Sequence, residues 1–530
     1  MEYKYELTID KLLQSGVSSN PDQIINYTGK REFTFKDFSK RVNTLAKALI
    51  SIGVKKGDRV AVIDWDTYVY LEAYFAVPMV DAVLHTVNVR YPQDLIYYTM
   101  DHAEDKYVIV RDEFVPILSK NREAFYFIKG WIVYSETGQI PDSLSPKYVY
   151  DDLMKESYSD IELPQLSEND LATTFYTSGT TGIPKGVQFT HRQIVLHSIS
   201  SGLALADDPI NLTSRDVIMP LVPMFHVHAW GVPYMSIMSG RRYVLPGRYD
   251  FDHIIDLIDK YNVSVIAMVP SILYLIVTNP NVKKIAGRGI KAIVGGGALP
   301  EGLANAAEKL GITAISGYGL SETAPILTLA TYNERVKAMP ESEKKKFRLK
   351  TGIPIPLVQL RVVDDKMNDV PKDEKTIGEI VVRAPWLTSV YVKNKEGTEA
   401  LWRGDWMHTG DLAVMDEYGY IRIVDREKDA VKSGGEFIPS LVLEDAISSC
   451  SGVVENAVVG RPDEKWGERP VAFYTGTAKP DEIRKHLIEM VNAGRIAKFW
   501  IPDDFINIKE FAKTSTGKID KKVLREMIKK

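Results

Sequence analysis

The 530-residue sequence contains a single cysteine, Cys450. One thiol cannot form an internal disulfide or supply a zinc site built from several cysteines, so both features are excluded. The sequence also lacks an apolar run long enough for a transmembrane helix, and its longest apolar stretches, such as 263–269, are typical of buried strands. The first residues lack a basic segment followed by an apolar one. We therefore expect no secretory signal, no membrane span and a cytoplasmic location.

An excess of charge of one sign is missing as well. The chain has 66 Lys and Arg against 70 Asp and Glu, which leaves a net charge of −4. Because proteins that bind nucleic acid usually show a clear basic excess, we expect no nucleic acid as a partner. A hydrophobic fraction of 45% and a charged fraction of 26% are typical of a globular protein. The length suggests about two to four domains.

Helix and strand patterns alternate along the first two thirds of the chain. Apolar residues at three- and four-residue steps predict a helix over 33–52, and short apolar runs predict strands at 59–64 and 107–110. The alternation predicts a large N-terminal α/β domain of mostly parallel sheets, covered on both faces, with a β-rich subdomain towards its end. The remaining residues predict a small α+β domain. We place the boundary at a charged segment, which gives domains 1–427 and 428–530.

A loop rich in hydroxyls and glycines follows the apolar run that ends at Tyr176. It reads Thr177-Ser178-Gly179-Thr180-Thr181-Gly182-Ile183-Pro184-Lys185-Gly186. Glycine lets backbone N–H groups approach an anion, and hydroxyls and an ammonium group add donors, so the loop predicts phosphate binding. The Walker pattern does not fit, because Pro184 stands at its second glycine and Gly186 follows the lysine. The loop therefore favours triphosphate binding by a different fold, with a plain surface turn as the alternative.

Two more glycine-rich segments follow predicted strands. They are Gly295-Gly296-Gly297-Ala298 and Gly317-Tyr318-Gly319. In open α/β sheets, ligands bind beyond the carboxyl ends of the strands. We therefore expect these segments and the phosphate loop to converge on one crevice.

Five motifs together resemble those of the adenylate-forming superfamily, which contains acyl-CoA synthetases, peptide-synthetase adenylation domains and beetle luciferases. In the superfamily's order they are the loop 176–186, Gly317-Tyr318-Gly319-Leu320-Ser321-Glu322-Thr323, Thr409-Gly410-Asp411, Asp425-Arg426-Glu427-Lys428-Asp429 and Thr514-Ser515-Thr516-Gly517-Lys518. The resemblance implies an enzyme that activates a carboxylate with MgATP as acyl-AMP, releases pyrophosphate and passes the acyl group to a thiol. It also implies that the small C-terminal domain is mobile and rotates between the two half-reactions.

The resemblance also implies which residues bind ATP and Mg²⁺. Glu322 would bind Mg²⁺, a hard cation that takes one or two carboxylates together with phosphate oxygens, although a surface carboxylate is the alternative. Asp411 would accept the two ribose hydroxyls, because a carboxylate has two acceptor oxygens. Tyr318 would stack on adenine, with a packed core tyrosine as the alternative. The implied ATP-binding residues are Thr177, Ser178, Gly179, Thr180, Thr181, Lys185, Gly296, Gly297, Ala298, Tyr318, Gly319, Ser321, Asp411 and Arg426.

Three catalytic roles follow from the resemblance. Lys518 would carry adenylation, because a cation that bridges the attacking carboxylate and the α-phosphate stabilises the transition state. Glu322 would act through its Mg²⁺, and His226 would lie near the substrate carboxylate. Lys428 matches the hinge between the domains, and Gly435 matches the glycine that lines the tunnel for the pantetheine arm of CoA.

The acid is predicted from one segment, Phe225-His226-Val227-His228-Ala229-Trp230. It resembles the form found in fatty acyl-CoA synthetases, in which the tryptophan gates an apolar tunnel. Trp230 and Val232 would line the acyl pocket, although a large tryptophan is more often part of a core.

The resulting prediction is an ATP-dependent ligase that joins a medium- or long-chain fatty acid to CoA. Its expected cofactors and substrates are ATP, Mg²⁺ and coenzyme A, its expected partners are small molecules, and a homodimer is compatible with the sequence. A ligase for a short hydroxy acid, another short acid or an aromatic acid is one alternative. A catalytically silent acyl or nucleotide binder and a luciferase-like oxidase are the others.

Overall fold

The structure, a computed structural model, describes residues 4–120, 122–177, 183–434, 436–513 and 519–528. The chain divides into two compact units. The first comprises Met1–Gln359 with Arg383–Ala400, and the second comprises Leu360–Val382 with Leu401–Lys530. This division groups the β-rich section with the C-terminal residues. The predicted boundary, at Lys428, was that between a large N-terminal domain and a mobile C-terminal domain. It stays a prediction.

Within the described residues, the strands are β1 (Ile24–Tyr27), β2 (Arg31–Thr34), β3 (Arg59–Ile63), β4 (Val83–Thr86), β5 (Asp105–Arg111), β6 (Gly130–Tyr134), β7 (Lys147–Val149), β8 (Leu171–Thr177), β9 (Lys185–Thr190), β10 (Val217–Ile218), β11 (Arg242–Leu245), β12 (Val265–Met268), β13 (Ile290–Val294), β14 (Ile312–Gly319), β15 (Ile326–Leu329), β16 (Ile353–Pro354), β17 (Gln359–Val363), β18 (Gly378–Arg383), β19 (Trp402–Arg403), β20 (Trp406–Met415), β21 (Ile421–Arg426), β22 (Val431–Ser433), β23 (Glu436–Ile438), β24 (Val453–Asp463), β25 (Gly467–Gly476) and β26 (Asp504–Asn507). The helices are α1 (Ile9–Ser19), α2 (Phe35–Ser51), α3 (Tyr68–Met79), α4 (Gln93–Ala103), α5 (Val115–Ser119), α6 (Tyr150–Leu153), α7 (His191–Leu205), α8 (Val232–Met238), α9 (Phe251–Tyr261), α10 (Pro270–Val277), α11 (Glu301–Lys309), α12 (Glu334–Lys337), α13 (Glu341–Arg348), α14 (Lys395–Leu401), α15 (Ser440–Ser448), α16 (Pro480–Asn492) and α17 (Lys521–Ile528).

Two large sheets make up the first unit. The described strands of one sheet lie in the order β16-β15-β14-β13-β12-β10-β11-β1-β2, with parallel pairing from β14 to β1 and antiparallel strands at both edges. The other sheet has the order β7-β6-β5-β3-β4-β8-β9, and its described pairs are parallel except for β8 with β9. The predicted large α/β part with mostly parallel sheets is therefore confirmed.

Helix α3 lies in the interior of the first unit and contains one buried charged residue. Every residue of this helix is buried, as expected for a helix that is apolar on all sides. Its one charged residue, Glu72, accepts a hydrogen bond from Arg41 Nε at 2.6 Å and another from the hydroxyl of Tyr150. A buried carboxylate is tolerated here because it is both paired and hydrogen-bonded.

The second unit is an α+β arrangement with antiparallel sheets. One sheet contains β17, β18, β20, β19 and β21, and the other contains β23, β22, β25, β24 and the parallel strand β26. Leu443 and Ile447 of α15 and Ile483 and Leu487 of α16 share one hydrophobic core. The charged segment 427–429 connects β21 to β22. None of the helices that the structure describes combines the length and apolar composition needed to cross a bilayer.

Three histidines of the first unit are buried and uncharged. Burial lowers the pKa of His191 to about 4 and the pKa values of His197 and His228 to about 3. His197 Nε2 accepts a hydrogen bond from the Ile326 amide at 3.1 Å, which requires a neutral ring. These pKa values lie below that of an unfolded histidine, so protonation favours the unfolded state. The stability that the neutral rings contribute is therefore complete above about pH 6.5 and is lost as the pH falls towards 3.

The variant His197→Gln tests this linkage, since glutamine keeps an acceptor for the Ile326 amide but takes up no proton. Between about pH 7.5 and 5.5 we expect the wild type to lose about 1.4 kcal/mol of unfolding free energy relative to the variant. Urea unfolding followed by tryptophan fluorescence measures this difference. Identical pH dependences in the two proteins would contradict a neutral, buried His197.

Candidate active site

The predicted phosphate loop connects two antiparallel strands. Strand β8 ends at Thr177 and β9 begins at Lys185, and these two residues are register partners across the hairpin. They therefore flank the mouth of the loop. Ser178, Gly179, Thr180 and Thr181, which were predicted to contact phosphate, lie outside the described residues.

A second part of the site lies at the carboxyl ends of three parallel strands. Register pairs align Met268 of β12 with Val294 of β13, and Val294 with Ser316 of β14. The glycine segment follows β13 directly, as predicted, and Gly296, Gly297 and Ala298 are exposed. These three residues are accessible to a ligand at this edge.

The segment Gly317-Tyr318-Gly319 does not follow its strand, and that prediction was wrong. It forms the last three residues of β14 because β15 returns antiparallel and pairs Tyr318 with Thr328. Pairing extends the strand through two glycines that sequence propensity assigns to a loop. Tyr318 is half-buried and still lies at the edge predicted for the nucleotide.

A tight turn after β14 presents Glu322. Ser321 and Glu322 lie in a short 3₁₀ turn, and the Leu320 amide donates a hydrogen bond to the Thr323 hydroxyl at 2.9 Å. Gly319 is required beside this turn, because a Cβ there would lie 1.7 Å from the carbonyl oxygen of Pro325. The turn thus places the half-buried Glu322 next to the end of β14.

Residues 386–392 connect the two parts of the site, and none of them was among the predicted site residues. The Thr388 amide donates to the Glu322 carbonyl at 2.9 Å, and its hydroxyl donates to the Gln188 carbonyl at 3.1 Å. The Val392 amide donates to the Gly186 carbonyl at 2.9 Å. This segment therefore runs alongside β9 and supports the turn that carries Glu322.

Tyr391, within this segment, contacts two residues that the resemblance assigned to ATP and Mg²⁺. Its hydroxyl donates to Glu322 Oε1 at 2.5 Å, and the Lys185 Nζ atom lies 4.8 Å from the centre of its ring. Burial, followed by the negative charge of Glu322, raises the pKa of Tyr391 well above its usual value. A phenol between an ammonium group and a carboxylate holds both charged groups at defined positions.

These residues fit a magnesium–polyphosphate group. The described part of the chain has no cluster of three or more His, Cys, Asp or Glu side chains around a common point. Mg²⁺ does not need such a cluster, because one or two carboxylates together with phosphate oxygens suffice. Glu322 would supply the carboxylate and Lys185 a positive charge for the phosphates.

The turn that carries Trp230 has an unusual backbone. Residues 227–230 have φ angles of 49°, 52°, 47° and 60°, in the left-handed region that non-glycine residues seldom adopt. The buried His228 shares a hydrogen bond with the Thr173 hydroxyl of β8, which helps to hold this turn. His226, half-buried, directly precedes it.

The Trp230 indole lies against the glycine segment. A Cβ built on Gly295 would be 3.0 Å from the indole ring, and one built on Gly296 would be 3.8 Å from it. Trp230 also lines an apolar cavity of about 10 Å³, room for about one water molecule. Val232 also lines this cavity. The complete lining is Ser201, Leu205, Trp230, Gly231, Val232, Met235, Ala267, Ile293 and Ile326.

A second cavity, of about 140 Å³, has both polar and apolar walls and was not predicted from the sequence. Its lining residues are Trp65, Asp66, Arg90, Pro223, Phe225, Gly247, Arg248 and Tyr249. The carboxylate of Asp66 accepts hydrogen bonds from the Met224 amide at 2.7 Å and the Tyr249 hydroxyl at 2.8 Å. Burial raises the pKa of Asp66 to about 7. The cavity wall includes Phe225, the neighbour of His226.

In the second unit, Asp411 and Arg426 are adjacent. They are register partners on β20 and β21, and Arg426 Nε lies 3.3 Å from Asp411 Oδ1. Glu379 supports the preceding residues, since its Oε1 accepts from the Gly410 amide at 3.0 Å and its Oε2 lies 2.7 Å from His408 Nδ1. The predicted ribose-binding pair is therefore brought together.

Lys428 is exposed, and its carbonyl accepts a hydrogen bond from Arg525 Nη2 at 3.4 Å. Arg525, on α17, also forms an ion pair with Asp429. Lys518 and Gly435, predicted for adenylation and for the CoA tunnel, lie outside the described residues. The roles of all these residues stay predictions.

Comparison with known proteins identifies the family. Residues 13–392 match the AMP-binding enzyme family, and residues 442–518 match the AMP-binding enzyme C-terminal domain. The long-chain-fatty-acid–CoA ligase of Thermus thermophilus is 38% identical over 94% of this chain and 90% of its own. The 3-methylmercaptopropionyl-CoA ligase of Ruegeria lacuscaerulensis is 33% identical over 97% of both chains. ATP-bound MatB from Rhodopseudomonas palustris has a TM-score of 0.84, with 25% identity over 99% of both chains.

This chain belongs to the AMP-binding enzyme family. The predicted adenylate-forming superfamily and the prediction of an enzyme are thereby confirmed. The α/β fold is confirmed by the same solved relative.

The close approach at Gly319 gives a test of the turn. We expect Gly319→Ala to lower unfolding stability by at least about 2 kcal/mol, because the added methyl group overlaps the Pro325 carbonyl. Thermal unfolding followed by circular dichroism measures the effect. Gly302→Ala in α11 is the control, since a Cβ there meets no atom within 4 Å. Equal stability of the two variants would contradict the described turn.

Proposed function

We propose that this protein is an ATP-dependent acid–CoA ligase whose substrate is a medium- or long-chain fatty acid. It forms acyl-AMP with release of pyrophosphate and then transfers the acyl group to coenzyme A. The observation that carries the proposal is the place of Trp230, whose indole lies against the glycine segment after β13 and also lines an apolar cavity. An apolar acid chain in that cavity would have its carboxylate at the nucleotide.

The nucleotide end of the site is supported by residues of opposite charge. Lys185 and the hairpin loop receive the leaving phosphates, and Glu322 binds the Mg²⁺ that accompanies them. Adenine lies against Gly296, Gly297, Ala298 and Tyr318. The matched relatives are named as CoA ligases and one solved relative holds ATP, in agreement with the expected ATP and CoA.

The remaining roles rest on residues of the second unit and on His226. Asp411 and Arg426 hold the ribose, Lys518 supplies the cation for adenylation, and Gly435 leaves room for the pantetheine arm. His226 lies next to the acid's carboxylate. The hinge at Lys428, a cytoplasmic location and a homodimer complete the proposal.

The cavity of about 140 Å³, which two arginines line, is suited to the anionic part of coenzyme A. Arg90 and Arg248 supply guanidinium groups, which bind phosphates in a bidentate manner. Arg248 is stacked 5.4 Å from the Trp65 ring, and Arg90 lies 5.7 Å from the Phe225 ring. Because Phe225 adjoins His226, a thiol that enters from this side reaches the acid end of the site.

A short acid is the second candidate substrate. The apolar cavity has room for about one water molecule, so a long chain requires Trp230 or its neighbours to move. One of the two relatives described above is named for a short thioether acid. An acid of that size needs a smaller rearrangement.

An acid panel tests the proposal. Purified enzyme is given MgATP, CoA and acids from two to sixteen carbons, with an aromatic acid and a short hydroxy acid, and pyrophosphate release is measured. We expect the highest kcat/KM for acids of about eight carbons or more, because each buried methylene adds about 0.8 kcal/mol. A maximum at two to four carbons would favour the short-acid candidate, and no product with any acid would refute the ligase.

Lys518→Ala should reduce acyl-AMP formation by at least about 100-fold, because the variant lacks the cation proposed to stabilise the adenylation transition state.

Trp230→Ala tests the gate separately. Removing the indole enlarges the apolar cavity, so the ratio of kcat/KM for a twelve-carbon acid to that for a four-carbon acid should rise by about tenfold. Leu203→Ala, on an exposed position of α7, is the control and should leave the ratio unchanged. An unchanged ratio in Trp230→Ala would show that this residue does not limit chain length.

A further inference from the structure

We propose that Tyr391 is a positioning residue that orients Glu322 for Mg²⁺ and Lys185 for the phosphates of ATP. This inference rests on the proposed function, because it assigns Glu322 and Lys185 to the MgATP complex. It adds a residue to which the sequence analysis gave no role, and it assigns separate tasks to the hydroxyl and the ring of that residue.

The hydroxyl acts on Glu322. It donates to Oε1 at 2.5 Å, so it engages one of the two oxygens of the carboxylate. The Thr388 amide holds the backbone of the same glutamate through its carbonyl, at 2.9 Å. With backbone and side chain both held, the second oxygen of Glu322 has a defined direction for a cation. Hydrogen bonds of this kind, made to a metal-binding carboxylate, raise metal affinity.

The ring acts on Lys185. The ammonium nitrogen lies 4.8 Å from the ring centre, within the range of a cation–π interaction. Lys185 is the first residue of β9, at the end of the predicted phosphate loop. A flexible lysine side chain loses several rotamers when it binds a phosphate. Holding it against the ring before ATP arrives reduces that loss.

Tyr391 can perform both tasks because its own position is fixed by protein contacts. The Tyr391 amide donates to the Thr398 hydroxyl at 2.9 Å, and the residue forms an isolated β-bridge with Val187. Its neighbour Val392 is bonded to the Gly186 carbonyl. The side chain is buried, so solvent does not compete for its hydroxyl. The tyrosine is therefore placed without help from a ligand.

Two substitutions separate the two tasks. Tyr391→Phe removes the hydroxyl and keeps the ring, whereas Tyr391→Leu removes both. Tyr134→Phe is the matched control, because Tyr134 is a buried tyrosine whose hydroxyl donates to Glu136 at 3.2 Å, away from the candidate site. Glu136 retains Arg111, at 3.2 Å, when that hydroxyl is lost.

The experiment uses the full-length chain and two measurements. Isothermal titration calorimetry measures the binding of ATP with Mg²⁺ and of ATP with EDTA, and neither titration requires turnover. Pyrophosphate release over a range of Mg²⁺ concentrations gives the half-saturating concentration of the metal. Thermal unfolding of each free protein verifies that it is folded.

For Tyr391→Phe we expect MgATP affinity to fall by about tenfold, and half-saturating Mg²⁺ to rise equally, with metal-free ATP affinity unchanged. Tyr391→Leu should also weaken metal-free ATP binding, by about threefold, because Lys185 loses the ring. Tyr134→Phe should match the wild type. Adding Tyr391→Phe to Glu322→Gln should have no further effect on MgATP affinity, since the hydroxyl acts through that carboxylate.

Two results would overturn the inference. One is wild-type MgATP affinity and Mg²⁺ dependence in Tyr391→Phe. The other is an equal loss of ATP affinity with and without Mg²⁺ in that variant, which would indicate a general disturbance of the site. A wild type that binds MgATP but forms no product with any acid would instead refute the ligase, and calorimetry would still decide the role of Tyr391.

Discussion

The hydrogen-bonded register of the parallel strands β12, β13 and β14 is the constraint on which the candidate site depends. Because Met268, Val294 and Ser316 lie side by side, the segments that leave these strands emerge at one edge of the sheet. The glycines after β13 keep that edge open to a ligand. The Trp230 indole lies against this glycine segment, since a Cβ built on Gly295 would be 3.0 Å from the ring.

The candidate site also depends on two charged residues, Lys185 and Glu322, that lie at the ends of strands of different sheets. Lys185 begins β9 of one sheet, and Glu322 follows β14 of the other. The return of the chain through Thr388 and Tyr391 connects them by backbone hydrogen bonds, a phenol–carboxylate bond and a cation–π contact. These contacts join residues that are about 70 to 200 positions apart in the chain, and they hold the side chains in place without a ligand.

Local patterns predicted the helices and strands well, because the spacing of apolar residues reflects which face of a helix or strand is buried. Helix α2 and strands β3 and β5 were found close to their predicted bounds. The end of β14 was predicted wrongly, because its pairing with β15 depends on a distant strand. The left-handed turn at 227–230 also escaped prediction, since its sequence contains a β-branched residue and no glycine. Packing around His228, including its bond to Thr173, stabilises what local propensity disfavours.

By itself, the sequence predicted the fold class and the family, because the motifs that identify them lie in short stretches of chain. The glycine-rich loops, the carboxylate at Glu322 and the lysine at 185 were all visible there. Only the tertiary structure decided that Tyr391 joins Glu322 to Lys185, and that Trp230 lines a small apolar cavity. Those contacts arise between residues far apart in the chain, where side-chain packing and strand register, which one sequence does not display, set the distances.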